Sequence, residues 1–186
     1  MDKSVAILPN ELMHINLAKE EPSAFAVIYE HYFSRVYNYI RYRIKDPDIT
    51  DDLTADTFEA ILANIRSYQS EKGLFATWAF TIARNIVNNY LRKQRFRNWF
   101  SIDIVRNKAS SETEPEQHHL ENEMHTELLV AIGRLSTHDQ DLLALKFGAG
   151  LSSSQISKLT GSDQNNVNVG VYRAVRRLQG LLNNQD

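Results

Sequence analysis

The amino-acid sequence predicts an all-α fold: two small helical domains joined by a flexible linker, the C-terminal one containing a helix-turn-helix. Three observations carry this. Only 7 Gly and 4 Pro occur in 186 residues. No stretch alternates cleanly with period two, and apolar residues recur at steps of three and four along most of the chain. Between residues 98 and 119 the periodicity fails and Ser, Glu and Pro accumulate, which sets the expected domains at 1–97 and 120–186 around a linker at 98–119.

The first strong helix is expected over residues 24–44, where Phe25, Ile28, Tyr32, Val36 and Ile40 share a face. Lys45-Asp46-Pro47-Asp48 ends it, because a residue before proline disfavours the helical conformation. Thr50 is placed to cap the next helix, with Asp51 and Asp52 suited to its positive end and Phe58, Ile61, Leu62 and Ile65 as its apolar stripe. A break from Ser67 to Gly73 leads to the most regular helix, expected over 75–97. Its core face carries Phe75, Trp78, Ala79, Ile82, Ala83, Ile86, Val87, Tyr90 and Leu91. A second, polar stripe consists of Thr77, Thr81, Arg84, Asn88, Arg92 and Arg95.

Beyond the linker, Leu120, Met124, Leu128, Ala131, Ile132 and Leu135 restore helical spacing. Ser136-Thr137-His138-Asp139 resembles a capping box, with Leu135 as a hydrophobic staple. Leu151-Ser152 starts a short helix bearing Ile156 and Leu159, and Gly161 can take the left-handed conformation that closes it. A longer helix follows with Val167, Val171, Val175, Leu178 and Leu182 inward. This is the layout of a helix-turn-helix, although a hairpin that merely completes a bundle fits the same segment.

Hydrophobic residues at 42% and charged residues at 24% suit a soluble protein with real cores. No apolar run is long enough to span a bilayer, and Met1 to Pro9 is too short and weakly basic for a secretory signal. The expected address is the cytoplasm, without membrane insertion. The absence of Cys excludes disulfides, thiolate catalysis, iron–sulfur clusters and cysteine-based zinc fingers. A net charge of −2 argues against strong free-standing nucleic-acid binding. The distribution is uneven, however. Arg84, Arg92, Lys93, Arg95, Arg97, Arg106 and Lys108 are opposed only by Asp103, and the following stretch has Glu112, Glu114, Glu116, Glu121, Glu123 and Glu127 with no Lys or Arg.

The polar stripe of the 75–97 helix has two readings. It is either a solvated face or, with its basic end and the interleaved Phe75, Trp78, Phe80 and Tyr90, a platform for single-stranded nucleic acid. In the second module Asp163, Gln164, Asn165, Asn166 and Asn168 would lie at the groove-facing end, where amides suit base edges. Arg173, Arg176 and Arg177 would hold phosphates. Two Glu-x-x-His pairs, Glu11 with His14 and Glu116 with His119, give a remote alternative as a di-iron carboxylate enzyme. That reading needs two further inward-facing Glu residues. His118, His119 and His125 read as solvated. No catalytic residue, metal, cofactor or small-molecule substrate is expected.

From about Ser23 to Leu182 these segments, in this order, resemble the extracytoplasmic-function (ECF) group of RNA polymerase sigma factors. Asp51-Asp52-Leu53-Thr54-Ala55-Asp56-Thr57-Phe58 resembles the acidic helix that binds the polymerase clamp. Phe75 to Asn85 followed by Asn89-Tyr90-Leu91-Arg92 resembles the helix that melts and reads the −10 element. Gly150 to Leu178 resembles the module that reads the −35 element and packs on the polymerase flap. The resemblance implies an initiation factor without covalent chemistry, whose partners are core RNA polymerase and promoter DNA, with an anti-sigma factor as a further family-level expectation. It implies that Asp51, Asp52, Asp56 and Glu59 face the clamp and that Arg84, Asn85, Asn88, Arg92 and Lys93 contact −10 DNA. The loop Gln69, Ser70, Glu71, Lys72 and Gly73 would hold a flipped base. Trp78 and Phe80 stand at wedge positions, Trp78 being assigned to the core because it lies in the apolar stripe. Asp163, Gln164, Asn165, Asn166, Asn168, Tyr172, Arg173 and Arg176 would read the −35 element, and the acidic linker would thread near the RNA path. The chain departs from the family pattern at Ala55, at Asn89 and at Val169-Gly170, where a Ser-Arg pair is usual. Gly170 weakens a helix by about 1 kcal/mol. A sigma-like regulator with altered −35 reading, or a helix-turn-helix regulator independent of polymerase, are therefore the alternatives.

Overall fold

Local chemistry sets where each helix starts and stops. The computed structural model describes residues 8–100 and 119–183. The first helix, α1 (Glu11–Glu20), buries Ile15 and Ala18 but exposes Leu12, Met13 and Leu17, so it gives no clean apolar stripe in the sequence. Helix α2 (Ala26–Arg43) carries the expected face, with Ile28, Tyr32, Val36 and Ile40 buried.

Helix α3 (Pro47–Asn64) corrects the expected cap. Asp46 fills that role, its carboxylate accepting from the Ile49 N–H at 3.2 Å. Pro47 occupies the first helical position, where its missing N–H is harmless and its fixed φ is already helical. Thr50 lies one turn inside, fully buried, its hydroxyl donating to the Asp46 carbonyl at 2.8 Å. Proline thus begins this helix as well as ending the one before.

Two short 3₁₀ turns, Ile65–Ser67 and Ser70–Lys72, make the break before α4 (Phe75–Phe100), which extends past residue 97. The linker expected at 98–119 falls largely outside the described residues. On its far side lie α5 (His119–Gly133) and α6 (Thr137–Leu143), the latter capped by Ser136, whose hydroxyl accepts from the Asp139 N–H at 3.1 Å. A π-helical turn, Ala144–Gly148, leads to α7 (Ser153–Thr160). Ser152 and Gln155 form a full capping box there, and Gly161 closes the helix at φ 72°. Helix α8 (Gln164–Asn183) follows.

Both halves are helical, with no strand among the described residues. One buried cluster runs through both of them: Tyr32, Val36, Tyr39, Phe75 and Phe80 from the first half join Leu142, Leu145, Leu151, Ile156 and Val167 from the second. Two glycines stand at close approaches, one between the halves and one within the second. A Cβ on Gly148 would lie 2.9 Å from both the Asn38 carbonyl oxygen and the Tyr39 nitrogen, so the π turn rests directly on the backbone of α2. A Cβ on Gly170 would come within 2.7 Å of Leu142 Cδ1. The unusual glycine in α8 thus stands where that helix crosses α6 closely.

Candidate nucleic-acid interface

The working side of α4 is built by its period. Steps of three and four put Thr77, Thr81, Arg84, Asn88, Arg92 and Arg95 away from the buried Ala79, Ala83 and Val87. Thr81, Asn85, Arg92, Lys93 and Arg95 are exposed, while Arg84 and Asn88 are half-buried. At the basic end Tyr90, Arg92, Lys93, Phe96 and Arg97 line an open cleft of about 600 Å³. Cations beside accessible rings are suited to a nucleic-acid strand, one neutralising phosphates and the other stacking on bases.

The aromatic part of that expectation needs correcting. Phe80 is fully buried and Phe75 nearly so. Phe80 meets the Tyr39 ring edge-on at 5.9 Å, under the Arg35 guanidinium at 5.5 Å. Neither ring can stack on a base or wedge a duplex from that position. A phenylalanine five residues from Phe75 falls between the two stripes in sequence, and packing against α2 draws it inward. Trp78 is half-buried against the core, as its place in the apolar stripe implies.

Beside the N-terminal end of α4, the loop of Gln69, Ser70, Glu71 and Lys72 is exposed and ends at Gly73. It sits on an aromatic floor: Tyr68 lies 5.2 Å from Phe75 and 5.5 Å from Trp78, centroid to centroid. The Tyr68 hydroxyl donates to the Gly73 carbonyl at 2.9 Å, and Lys19 Nζ donates to the Tyr68 carbonyl at 3.0 Å. The loop is thus pinned at both ends while its side chains face outward.

Arg84 and Asn88 are brought together with residues that the sequence reading did not single out. Asp141 of α6 accepts from Arg84 Nε at 2.7 Å, from the Tyr39 hydroxyl at 3.1 Å and from Arg43 Nη1. Arg43 Nη2 also donates to Asn88 Oδ1 at 3.2 Å. Asp141 and Arg43 are both buried. A signal was available: Arg43 continues the apolar stripe of α2, and Asp141 stands beside Leu142 and Leu143 in α6. Charges at core positions are almost always paired.

Burial, followed by the neighbouring Asp141 charge, pushes the Tyr39 hydroxyl above its ordinary range. Burial, followed by the hydrogen bond to Glu11, does the same to Tyr32. With folded values raised, the unfolded chain releases these protons first. Their stabilisation is complete below about pH 10 and falls as pH rises past it. Denaturation midpoints are therefore expected to drop between pH 9 and 11.5, and Tyr39→Phe to make the drop shallower; an unchanged slope contradicts this.

The acidic residues Asp51, Asp52, Asp56 and Glu59 all lie exposed on α3. Next to them the exposed Tyr29 and Phe33 cover Phe58, at centroid distances of 4.6 and 6.3 Å. At the other end of the chain, Asp163 Oδ1 accepts from the Asn165 N–H at 2.8 Å and so caps the start of α8. Gln164, Asn165, Asn166, Asn168, Tyr172, Arg173 and Arg176 are exposed. Asn165, Asn168, Val169 and Tyr172 form one stripe opposite the buried Val167 and Ala174. Arg177, also exposed, donates from Nη1 to both carboxylate oxygens of Asp139, at 2.9 and 2.8 Å. Of the di-iron pairs, Glu11 accepts from the Tyr32 hydroxyl at 2.5 Å, and Glu116, like His118, lies outside the described residues.

Comparison with known proteins bears on both halves. The model for sigma-70 region 2 matches residues 28–97. The chain is 33% identical over 162 residues to the ECF RNA polymerase sigma factor BldN of Streptomyces coelicolor, covering 87% of this chain and 61% of BldN. It is 32% identical over 135 residues to the ECF RNA polymerase sigma factor EcfG of Rhodopseudomonas palustris, covering 73% and 72%. Identity to the ECF RNA polymerase sigma factor SigM of Bacillus subtilis is 26% over 84% of this chain and 93% of SigM. Two solved structures share the fold. The sigma factor RpoE bound to the anti-sigma factor NepR from Bartonella quintana matches with TM-score 0.68 and 23% identity over 86% of this chain and 96% of RpoE. CnrH in complex with the cytosolic domain of CnrY matches with TM-score 0.70 and 17% identity over 94% and 97%.

Proposed function

The chain belongs to the ECF RNA polymerase sigma factors, and from that premise we propose that it joins core RNA polymerase, reads −10 and −35 promoter elements and opens the duplex. The observation that carries this reading is the exposed basic side of α4, which lies within the region matched by the sigma-70 model. The polymerase supplies catalysis and this chain supplies address and strand opening, so no covalent step falls to its own residues. It works in the cytoplasm, where polymerase and promoters are.

The roles divide among three surfaces. Asp51, Asp52, Asp56 and Glu59 on α3 meet a basic polymerase surface, extended by the apolar rings of Tyr29 and Phe33. Arg84, Asn85, Asn88, Arg92 and Lys93 hold −10 DNA, and the Gln69–Gly73 loop takes a base exposed by melting. Asn165, Asn168 and Tyr172 read base edges at −35, while Arg173 and Arg176 hold phosphates. Val169 adds an apolar spot that suits a thymine methyl group. Gly170 lies beside the Leu142 side chain, where a Cβ would come within 2.7 Å of Cδ1. The relatives RpoE and CnrH were each solved in complex with a partner, an anti-sigma factor for RpoE, and a factor of that kind is a proposed partner here too.

Charge reversal tests the first surface. Asp52→Lys with Asp56→Lys should weaken assembly with core polymerase about tenfold or more, since opposed charges slow encounter and remove ion pairs. Both side chains are exposed, so helix content should not change. Unimpaired holoenzyme assembly, measured by titrating labelled protein with core, would remove α3 from the interface.

A further inference from the structure

Helix α1 lies ahead of residues 28–97, the stretch matched by the sigma-70 model, yet its last turn is joined to the loop proposed to take a melted base. Two side chains cross in opposite directions. Lys19 Nζ donates to the Tyr68 carbonyl at 3.0 Å. Arg66 Nε donates back to the Lys19 carbonyl at 2.8 Å, one of the terminal carbonyls that lack a partner within α1. Lys19 Nζ also lies 5.7 Å from the centre of the Tyr68 ring. Tyr68 passes the constraint on: its ring is buried against Phe75 and Trp78, and its hydroxyl donates to the Gly73 carbonyl at 2.9 Å. At its other end α1 is held through Glu11, which accepts from the Tyr32 hydroxyl at 2.5 Å, and between the two by the buried Ile15 and Ala18.

We infer that Lys19 is a positioning residue for −10 specificity: through Tyr68 it holds the Gln69–Gly73 loop in the one shape that accepts its base over the others. The inference rests on the reading of that loop as the base-capturing element. Between its anchors the loop has only the short 3₁₀ turn Ser70–Lys72 and exposed side chains, so little within it resists deformation. A loop free to reshape accommodates a wrong base by moving its polar groups. A fixed loop leaves those groups unpaired against the wrong base and so rejects it. Phosphate contacts along α4 are indifferent to base identity. Loss of the Lys19 bond therefore costs discrimination and leaves overall strand affinity close to its original value. Lys19 itself touches no base; its effect travels through the Tyr68 carbonyl, as a supporting contact fixes the group that makes the direct one.

The test uses holoenzyme formed from core polymerase and the full chain, a single-stranded DNA library with a randomised stretch, and sequencing of the bound fraction. Gln69→Ala with Glu71→Ala strips polar groups from the loop, and the position where this pair flattens the base preference is the captured one. At that position Lys19→Met, which keeps the aliphatic stem, should lower the preference for the favoured base about tenfold, with total binding within about twofold of wild type. Lys19→Arg restores a charged donor and should recover most of the preference. Tyr68→Phe keeps the buried ring, leaves α1 untouched and should lower the preference to a similar extent. Because both act through one connection, Lys19→Met combined with Tyr68→Phe should lose no more than the larger single loss; losses that multiply contradict it. An unchanged preference in Lys19→Met, with the loop pair still effective, overturns the role of Lys19 and leaves base capture standing. If no position responds to the loop pair, base capture itself falls, and the inference with it.

Discussion

Arg84→Ala is expected to lower open-complex formation by the holoenzyme about 10- to 100-fold while leaving core binding intact. Arg84 lies on the polar side of α4 and is the cation nearest its centre, with Arg92 two turns further on. A hydrogen bond from a charged donor contributes about 1.5–3 kcal/mol, which at about 1.4 kcal/mol per decade gives that range. The acidic face of α3 is untouched, so titration with core polymerase should match wild type. In the isolated protein the same substitution strands half of Asp141's pairing and is expected to destabilise the fold. The two readouts are separable by working at a temperature where helix content is native. Normal opening kinetics would show that the polar stripe is merely a solvated face.

Phe80→Ala should destabilise the fold by about 3–5 kcal/mol. Its ring is fully buried against Tyr39 and beneath Arg35, so truncation leaves a cavity at the point where α2, α4 and the second half meet. Against a total stability of about 5–15 kcal/mol, that removes between about a fifth and all of it. A wedge residue would behave oppositely, with opening impaired and stability spared. Urea denaturation distinguishes them, and a midpoint within error of wild type would restore Phe80 to the DNA-facing surface.

Much of this was legible in the sequence because periodicity and caps are local. The stripe of α4, the capping residue Ser152 and the left-handed Gly161 each depend on neighbours within a turn or two, and each is found where expected. Thr50 shows the limit: Pro47 can stop one helix or start the next, and which it does depends on whether Asp46 is free to cap. Phe80 shows another, since a ring at the edge of a stripe is assigned by the helix that packs over it. The acidic face of α3 and the amide face of α8 were visible as exposed polar patterns. The Asp141 cluster was not, because it joins residues 57 and 98 positions apart, and only the packing of α6 on α2 and α4 brings them together. The same holds for the neighbour of Gly170, since only the crossing of α8 on α6 brings Leu142 Cδ1 within 2.7 Å of where its Cβ would be.

The central claim, that this chain directs core polymerase to promoters, is tested most directly by transcription in vitro. Fragmented host DNA is transcribed by core polymerase with and without the protein, and RNA 5′ ends are mapped. The account predicts new start sites that appear only with both components and share two upstream elements, at −10 and −35. A protein that binds core yet yields no new starts, or one that binds DNA equally well without core, would contradict it.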